Sequence, residues 1–149
     1  MVKEIIKKEN IKLKVYAENW QEAIEEAGKL LLNSNYISYG YITSMIDTVK
    51  KLGPYIVIVP NIAIAHARPS ESVLKEGISM ITLKNPVEFG NKDNDPVDIV
   101  FAFGAKSPNE HLAELTKLVR ILENQSIIDE IRKSNDIDFV YGVINSLAI

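Results

Sequence analysis

Polar and apolar residues alternate near the start of the chain, and a helical spacing follows. Every second side chain from Ile11 to Val15 is aliphatic and the ones between are lysines, which predicts a short edge strand with one buried face. Asn19 and Glu22 then form a capping-box pattern. Apolar residues recur every three or four positions after it, so we expect a helix from about residue 19 to about residue 32.

A second helical pattern ends in a strong stop signal and leads into two apolar runs. Its stripe consists of Tyr41, Met45, Ile46, Val49 and Leu52. Gly53 and Pro54 follow at once, as expected where a helix terminates. The β-branched runs at 55–59 and 62–65 are separated by Pro60 and predict two strands, the second of which delivers His66 to its end.

The next apolar segments predict two buried strands joined by a polar connection. Neither 78–83 nor 98–103 keeps a polar residue at every second position, which is typical of strands covered on both faces. The residues between them, 84–96, are rich in Pro, Gly, Asn and Asp, so we expect a loop or a wide hairpin there.

Helical patterns account for the remainder of the chain. Ser107, Pro108 and Glu110 occupy the cap, first and third positions of a helix start, which places His111 in the first turn. We expect the apolar stripe of this helix to contain Leu112, Leu115, Val119 and Leu122. Two shorter helices are expected at about 126–132 and 136–147, with apolar faces formed by Ile127, Ile128 and Ile131, and by Phe139, Val140, Val143 and Ile144.

Strands are therefore mixed with helices through the whole length, without a repeat, linker or low-complexity tract. This pattern predicts one domain spanning residues 1–149, an α/β sandwich with a central mixed β-sheet flanked by helices. The composition agrees, because 46% hydrophobic and 25% charged residues are typical of one globular domain.

Charge and cysteine content narrow the classes of function. Seventeen basic against 20 acidic side chains give a formal charge of -3, which offers no broad footprint for nucleic acid or anionic lipid, so proteins or small molecules are the expected partners. The chain has no cysteine, which excludes disulfides and thiolate nucleophiles. The charged N-terminal residues and the lack of a long apolar run predict a cytoplasmic location.

The two histidines are the candidates for chemistry. His66 follows a predicted buried strand and His111 lies at a predicted helix start. Imidazole has an ordinary pKa of about 6.5, so near neutral pH it keeps a free lone pair for attack on phosphorus. Arg68 offers a planar donor fork, and the N–H groups of the helix start at 107–111 favour anions.

Purely structural explanations also exist for each of these residues. A histidine at a strand end or helix cap is commonly a hydrogen-bonding structural residue, and a lone arginine such as Arg68 is commonly a solvated surface charge. Nucleotide-binding glycine loops, a nucleophile elbow and a local zinc motif are all missing. The acidic loop at 93–95 lacks the glutamate of a calcium-binding loop and is interpreted as a turn.

Three stretches together resemble the enzyme IIA family of the bacterial phosphotransferase transport system, of the mannitol/fructose type (type 2). They are GPYIVIVPNIAIAHARP at 53–69, PVEFGNKDNDPVDIVFAFGA at 86–105 and SPNEHL at 107–112. With the helices around them, the resemblance covers nearly all the chain from about Asn19 onward. The GPYIVI and HARP segments are most similar to the ascorbate-specific members, which implies a system for ascorbate or a related sugar acid.

The resemblance implies a phosphocarrier. In this family a histidine of the first stretch accepts a phosphoryl group from the phosphocarrier HPr and passes it to a cysteine of a IIB protein, and this role maps to His66. A second histidine in an NEH-type segment orients or stabilises the phosphoryl group, and that role maps to His111. The membrane component IIC is then an indirect partner. No cofactor and no metal are expected, because the phosphoryl group arrives already bound to a protein histidine.

Further residues are expected around the two histidines. Arg68, Ser107 and Asn109 are candidates for binding the phosphate. HPr and IIB must dock in turn and release quickly, so we expect a flat, moderately apolar surface around His66, with candidates in Ile62, Ile64 and the loop near Phe89. A homodimer is left open.

Two departures from the family pattern keep rival interpretations in view. The residue before the active histidine is usually Pro and here is Ala65, and the arginine that mannitol-type members carry on the preceding helix is absent. One rival is a regulatory protein that is phosphorylated on His66 and acts by binding other proteins. The other is a relative that has lost phosphoryl transfer, which Ala65 favours.

Overall fold

Five strands form one mixed sheet in the computed structural model, which describes residues 4–148. The strands are β1 (Ile11–Val15), β2 (Val57–Val59), β3 (Ile62–Ala65), β4 (Gly77–Val87) and β5 (Val97–Gly104). Their spatial order is β1-β4-β5-β3-β2. The pairs β1–β4 and β3–β5 are parallel, whereas β4–β5 and β2–β3 are antiparallel, and β1 lies at an edge as expected.

Five α-helices cover the two faces of this sheet. They are α1 (Trp20–Asn33), α2 (Tyr39–Leu52), α3 (Pro108–Leu122), α4 (Gln125–Lys133) and α5 (Ile137–Asn145). All five lie within two or three residues of the ranges expected from the sequence. Among residues 4–148, no helix combines the length and apolar character that crossing a membrane would require.

The sheet separates two apolar cores because its strands alternate their side chains between the faces. Helices α1 and α2 pack with residues such as Ala63 and Ala65 on one face. Helices α3, α4 and α5 pack with Ile62 and Ile64 on the other. The result is an α/β sandwich with a central mixed sheet, which confirms the predicted fold class.

Two boundaries differ from the expectation. Strand β4 continues to Val87, so the predicted connection at 84–96 begins four residues too early; an irregularity in register between Thr82 and Val87 lets the strand pass Pro86. The strand expected at 55–59 begins only at Val57, because Pro54 starts a turn in which its carbonyl accepts the Val57 N–H. Tyr55 therefore lies outside the sheet.

Three helices bury fewer of the predicted apolar residues than expected. Leu52 of α2, Leu112 and Val119 of α3, and Phe139 of α5 are exposed. In α3 the residues that face the core are Leu118 and Ile121, with Leu115 and Leu122 packed beside them. Both sets of residues have helical spacing, so the pattern alone does not identify the face that packs on the sheet.

Candidate active site

The end of β3 directs His66 toward α3. Ile62 and Ile64 point to the face covered by α3, α4 and α5, and the same alternation continued by two residues turns the His66 ring to that side. Parallel pairing of β3 with β5 ends where Ala65 lies opposite Ala102. His66 therefore lies where the ladder between these two strands has just ended.

The backbone fixes the tautomer of the His66 ring, and burial keeps the ring neutral. Nδ1 lies 2.8 Å from the carbonyl oxygen of Ile64, and because a carbonyl only accepts, Nδ1–H is the donor and Nε2 keeps its lone pair. The pKa of His66 is lowered from its ordinary value chiefly by burial, with a further lowering by His111 and a partial opposing effect of the Ile64 hydrogen bond. The ring is thus neutral near pH 7.

Three aromatic rings surround His66. Phe103 stacks on it with 5.3 Å between ring centroids and 19° between the planes. Tyr55 and His111 approach edge-on at 5.8 and 5.5 Å. Phe103, which is fully buried at the end of β5, also contacts His111 at 4.9 Å. Both histidine rings therefore contact Phe103 and lie next to each other. The role expected for His111, to orient a group on His66, requires this closeness.

The N-terminal cap of α3 fixes His111. The Ser107 hydroxyl accepts the Glu110 N–H at 3.2 Å, and the Glu110 carboxylate accepts the Lys106 N–H at 2.8 Å. The His111 N–H already donates to the Ser107 carbonyl. Ser107 therefore acts as a helix cap here, and much of the hydrogen-bonding capacity of this helix start is already used.

A cavity of about 840 Å³ opens beside His66. Its lining comes from α2, from the segment after β3 and from the start of α3, and consists of Ser44, Asp47, Thr48, Lys51, Leu52, Tyr55, His66, Ala67, Arg68, Pro69, Ser70, Pro108 and His111. Arg68 is thus brought to the two histidines. Ser107 and Asn109 are not among these lining residues, although their neighbour Pro108 is.

Several lining residues were not singled out from the sequence. Lys51, together with Arg68, brings a second cation to the cavity. Ser44, Thr48 and Lys51 are spaced by four and three positions, so one face of α2 forms a wall of the cavity. The polar character of this face, which adjoins the buried stripe of α2, is the signal that could have found them.

Of the docking candidates, Ile62 and Ile64 are wrong, and in the loop near Phe89 the Phe89 side chain itself is not exposed. Ile62 and Ile64 are buried in the core between the sheet and α3, and Phe89 is buried against Trp20 with 6.3 Å between ring centroids. The exposed apolar residues in the lining of the cavity are Leu52 and Tyr55, and Leu112, the next residue after His111 in the chain, is also exposed.

The acidic loop forms a turn, as interpreted from the sequence. The Asp95 carboxylate accepts the N–H groups of Phe89 and Gly90 at 2.8 to 3.1 Å, and Asn91 accepts those of Asp93 and Asn94. Across residues 4–148, no cluster of three or more His, Cys, Asp or Glu side chains is placed to hold a metal ion.

The arrangement suits transfer of an anionic group to a nitrogen nucleophile. Nε2 of His66 is unprotonated, its ring is held by a backbone carbonyl and by stacking, and Arg68 and Lys51 supply positive charge in the same cavity. Cations beside the nucleophile stabilise the oxygens of a phosphoryl group during transfer.

Comparison with protein-family models gives one match over almost the whole chain. The model described as "Phosphoenolpyruvate-dependent sugar phosphotransferase system, EIIA 2" matches residues 4–147. A curated relative, the ascorbate-specific PTS system EIIA component of Escherichia coli (strain K12), is 39% identical over 124 residues, which are 83% of this chain and 80% of the relative.

Solved structures share the fold. The mannitol-specific cryptic phosphotransferase enzyme IIA of Escherichia coli aligns with a TM-score of 0.85 and 29% identity over 95% of this chain and 96% of its own. A complex of enzyme IIAMTL with phosphorylated enzyme IIBMTL from Escherichia coli aligns with a TM-score of 0.82 and 28% identity, covering 93% of this chain and 95% of that chain.

Proposed function

The chain belongs to the phosphoenolpyruvate-dependent sugar phosphotransferase system EIIA 2 family, and on that premise we propose that it carries a phosphoryl group on Nε2 of His66, from HPr to a cysteine of a IIB protein. One observation carries the proposal. The Ile64 carbonyl holds the proton on Nδ1 of His66 at 2.8 Å, so Nε2 is the nitrogen with a free lone pair beside the cavity.

Both transfer steps balance without a metal or nucleotide. In the first step the Nε2 lone pair forms a bond to phosphorus while the donor's N–P bond breaks, and that electron pair returns to the donor imidazole. In the second step a IIB thiolate forms a bond to phosphorus and the Nε2–P bond breaks, which restores neutral His66. Phosphorylation adds positive character to the ring, and the Nδ1–H···O=C bond to Ile64 stabilises it.

Cations and His111 surround the transferred group. Arg68 and Lys51 line the cavity and complement the phosphoryl oxygens. His111, edge-on to His66, orients the group by donating a ring N–H to one of these oxygens. Ser107 contributes by capping the helix that carries His111, and Asn109 lies in the first turn, where its backbone N–H favours an anion.

The exposed apolar residues Leu52 and Tyr55 of the cavity lining, together with Leu112 on α3, form the docking surface for HPr and IIB. Leu52 is 70% exposed, Leu112 is 64% exposed and Tyr55 is 47% exposed. Exposed apolar side chains next to a reactive group are typical of protein contact sites. Their modest number fits a short-lived complex, which a carrier that serves two partners requires.

The relatives also bear on the transported sugar. A curated relative is named for ascorbate, and we extend this to the present chain: the IIB and membrane-bound IIC that receive its phosphoryl group belong to a system for ascorbate or a related sugar acid, and the carrier works in the cytoplasm. The rival is a regulatory protein that uses the phosphorylation state of His66 to control binding to other proteins.

Intact mass spectrometry tests the carrier role. The protein is incubated with phosphoenolpyruvate, enzyme I and HPr, in parallel with His66→Ala and His111→Ala variants. We expect an acid-labile gain of one phosphoryl group that His66→Ala abolishes and His111→Ala slows by roughly 10²-fold, the range for loss of a group that stabilises a transition state. No mass gain in the unaltered protein would contradict the proposal.

A second arm separates the carrier from the regulator. Phosphorylated protein is mixed with the IIB of an ascorbate system, and loss of its phosphoryl group to the IIB cysteine is followed by mass. Rapid transfer supports the carrier. Retention of the phosphoryl group, together with binding of another protein in only one phosphorylation state, would favour the regulator.

A further inference from the structure

A buried phenol behind His66 takes no direct part in the transfer steps. Tyr41 of α2 is fully buried, and its hydroxyl accepts the Ala67 N–H at 3.0 Å. The same hydroxyl lies 2.9 Å from the Phe103 carbonyl oxygen and 3.2 Å from that of Ala67, and its single proton serves these acceptors. One side chain thus joins the residue after His66 to the residue whose ring supports His66.

The position of this hydroxyl in the sheet explains why it is needed. Pairing of β3 with β5 ends at Ala65 and Ala102, so the backbone groups of Ala67 and Phe103 have passed the last bonded pair of the ladder. Both residues are buried, and a buried backbone N–H or carbonyl without a partner is destabilising. The Tyr41 hydroxyl fills the gap between the two segments and satisfies both.

The same residue also anchors one wall of the cavity. Tyr41, Ser44, Thr48 and Lys51 follow one another at spacings of three, four and three, so they lie along one face of α2. Ser44, Thr48 and Lys51 line the cavity, and Tyr41 attaches this row to the segment that carries His66. A shift of Tyr41 would therefore move the nucleophile and the Lys51 wall relative to each other.

We propose that Tyr41 is the positioning residue for phosphoryl transfer: its hydroxyl fixes the His66 segment, the Phe103 ring and the α2 wall as one preorganised unit. The inference rests on the proposed function. Burial raises the pKa of Tyr41 to about 12, so the hydroxyl keeps its proton and remains a donor to Phe103 throughout the physiological range.

The test uses Tyr41→Phe, which keeps the ring and removes only the hydroxyl. The matched control is Thr82→Val. The buried Thr82 hydroxyl accepts the Lys14 N–H at 2.9 Å, and Thr82 lies opposite Ile99, near the end of β5 that is remote from Phe103. Each variant leaves a backbone N–H without its acceptor, but only Tyr41→Phe does so beside His66.

Two readouts are taken on the full-length proteins. The first is the rate of phosphorylation by phospho-HPr, which we expect to fall by about tenfold to a hundredfold in Tyr41→Phe, because small misplacements of a reacting group cost that much. The second is a ¹⁵N NMR titration of His66. The Nδ1–H tautomer should lose its dominance and the pKa of His66 should rise toward 6.5 as water enters beside the ring.

The outcomes separate this inference from the proposed function. Unchanged rate, tautomer and pKa in Tyr41→Phe, or the same losses in Thr82→Val, would overturn the positioning role. If HPr does not phosphorylate even the unaltered protein, the proposed function fails, and the NMR readout still decides the role of Tyr41. If Tyr41→Phe does not fold, 3-fluorotyrosine at position 41 keeps the volume and weakens the acceptor; an unaltered His66 spectrum would then overturn the inference.

Discussion

Burial and a backbone hydrogen bond shift the pKa of His66 in opposite directions. Burial lowers the pKa of the ring and the Ile64 carbonyl partly restores it, with burial the larger effect. The balance suits a carrier, because the ring must be neutral to attack phosphorus and yet must tolerate positive character once phosphorylated. Phe103 stacks on the ring, and the Tyr41 hydroxyl donates to the Phe103 backbone carbonyl.

The pH dependence of the acceptor follows from the lowered pKa. The neutral form of His66 should persist below pH 6.5, so the initial phosphorylation rate should stay near its neutral value there and fall only below the folded-state pKa. NMR titration of the ring measures this directly, with a peptide of residues 62–69 as the unfolded control at about 6.5. A folded pKa at or above that of the peptide would contradict the prediction.

The same shift has a consequence for stability. The unfolded chain takes up a proton on His66 at a higher pH than the folded chain does. The contribution of neutral His66 to the free energy of unfolding is therefore complete above about pH 6.5, which is the pKa in the unfolded chain. This contribution is lost as pH falls from there to the lowered pKa of the folded chain.

Individual site residues could be predicted from the sequence to different extents. His66, His111 and Arg68 carry distinctive chemistry within recognisable motifs, and the structure brings all three to one cavity. Lys51 and Tyr41 were not identified as site residues from the sequence. A lysine near a helix end and an aromatic residue in an apolar stripe have common structural explanations, and only the fold shows what they contact.

Among the elements, the turn after α2 depends on a glycine with a positive φ. Gly53 has φ 89° and ψ -179°, a conformation open almost only to glycine, and it leads into Pro54 and Tyr55 at the mouth of the cavity. A Cβ at Gly53 would meet nothing within 4 Å, so any cost of a side chain there is backbone strain.

Gly53→Ala should therefore destabilise the protein by about 1–3 kcal/mol. It should also slow phosphorylation, because Tyr55 would shift against His66. Gly142→Ala is the control: its Cβ also meets nothing within 4 Å, but Gly142 lies inside α5, where alanine should add up to about 1 kcal/mol. Urea unfolding measures both effects. Equal stability of Gly53→Ala and the unaltered protein would refute the strain.

The helices show why element existence is easier to predict than orientation. Caps at Asn19 and Ser107 and the stop at Gly53 are local signals, and the structure confirms each. Leu52 and Leu112 have helical spacing like true core residues, yet both are exposed. A helix that packs on a sheet and also carries exposed apolar residues has two apolar faces. Spacing alone does not show which of the two faces is buried.

For the molecule as a whole, the sandwich class followed from the mixed pattern of strands and helices. The strand order β1-β4-β5-β3-β2 did not, because it depends on pairing between segments far apart in the chain. The parallel β3–β5 pair forms the geometry of the candidate site. It brings His66 beside Phe103 and next to His111, which follows β5 by a short loop.

The docking surface can be tested on the assembled system. A Leu52→Ser and Leu112→Ser double variant should raise the KM for phospho-HPr by about tenfold with little change in kcat, because truncating apolar contacts costs on the order of 1 kcal/mol or more. The free energy of unfolding should change little, since both side chains are exposed. Phe139→Ser, an exposed apolar residue of α5, is the control. Equal KM changes in both proteins would exclude this surface.

The position of the phosphoryl group is the most direct test of the carrier mechanism. The ¹⁵N-labelled protein is phosphorylated by phospho-HPr, and the nitrogen coupled to ³¹P is identified by NMR. We expect one N–P bond at Nε2 of His66, with Nδ1 still protonated toward Ile64. An N–P bond at Nδ1 of His66, or on His111, would contradict the mechanism.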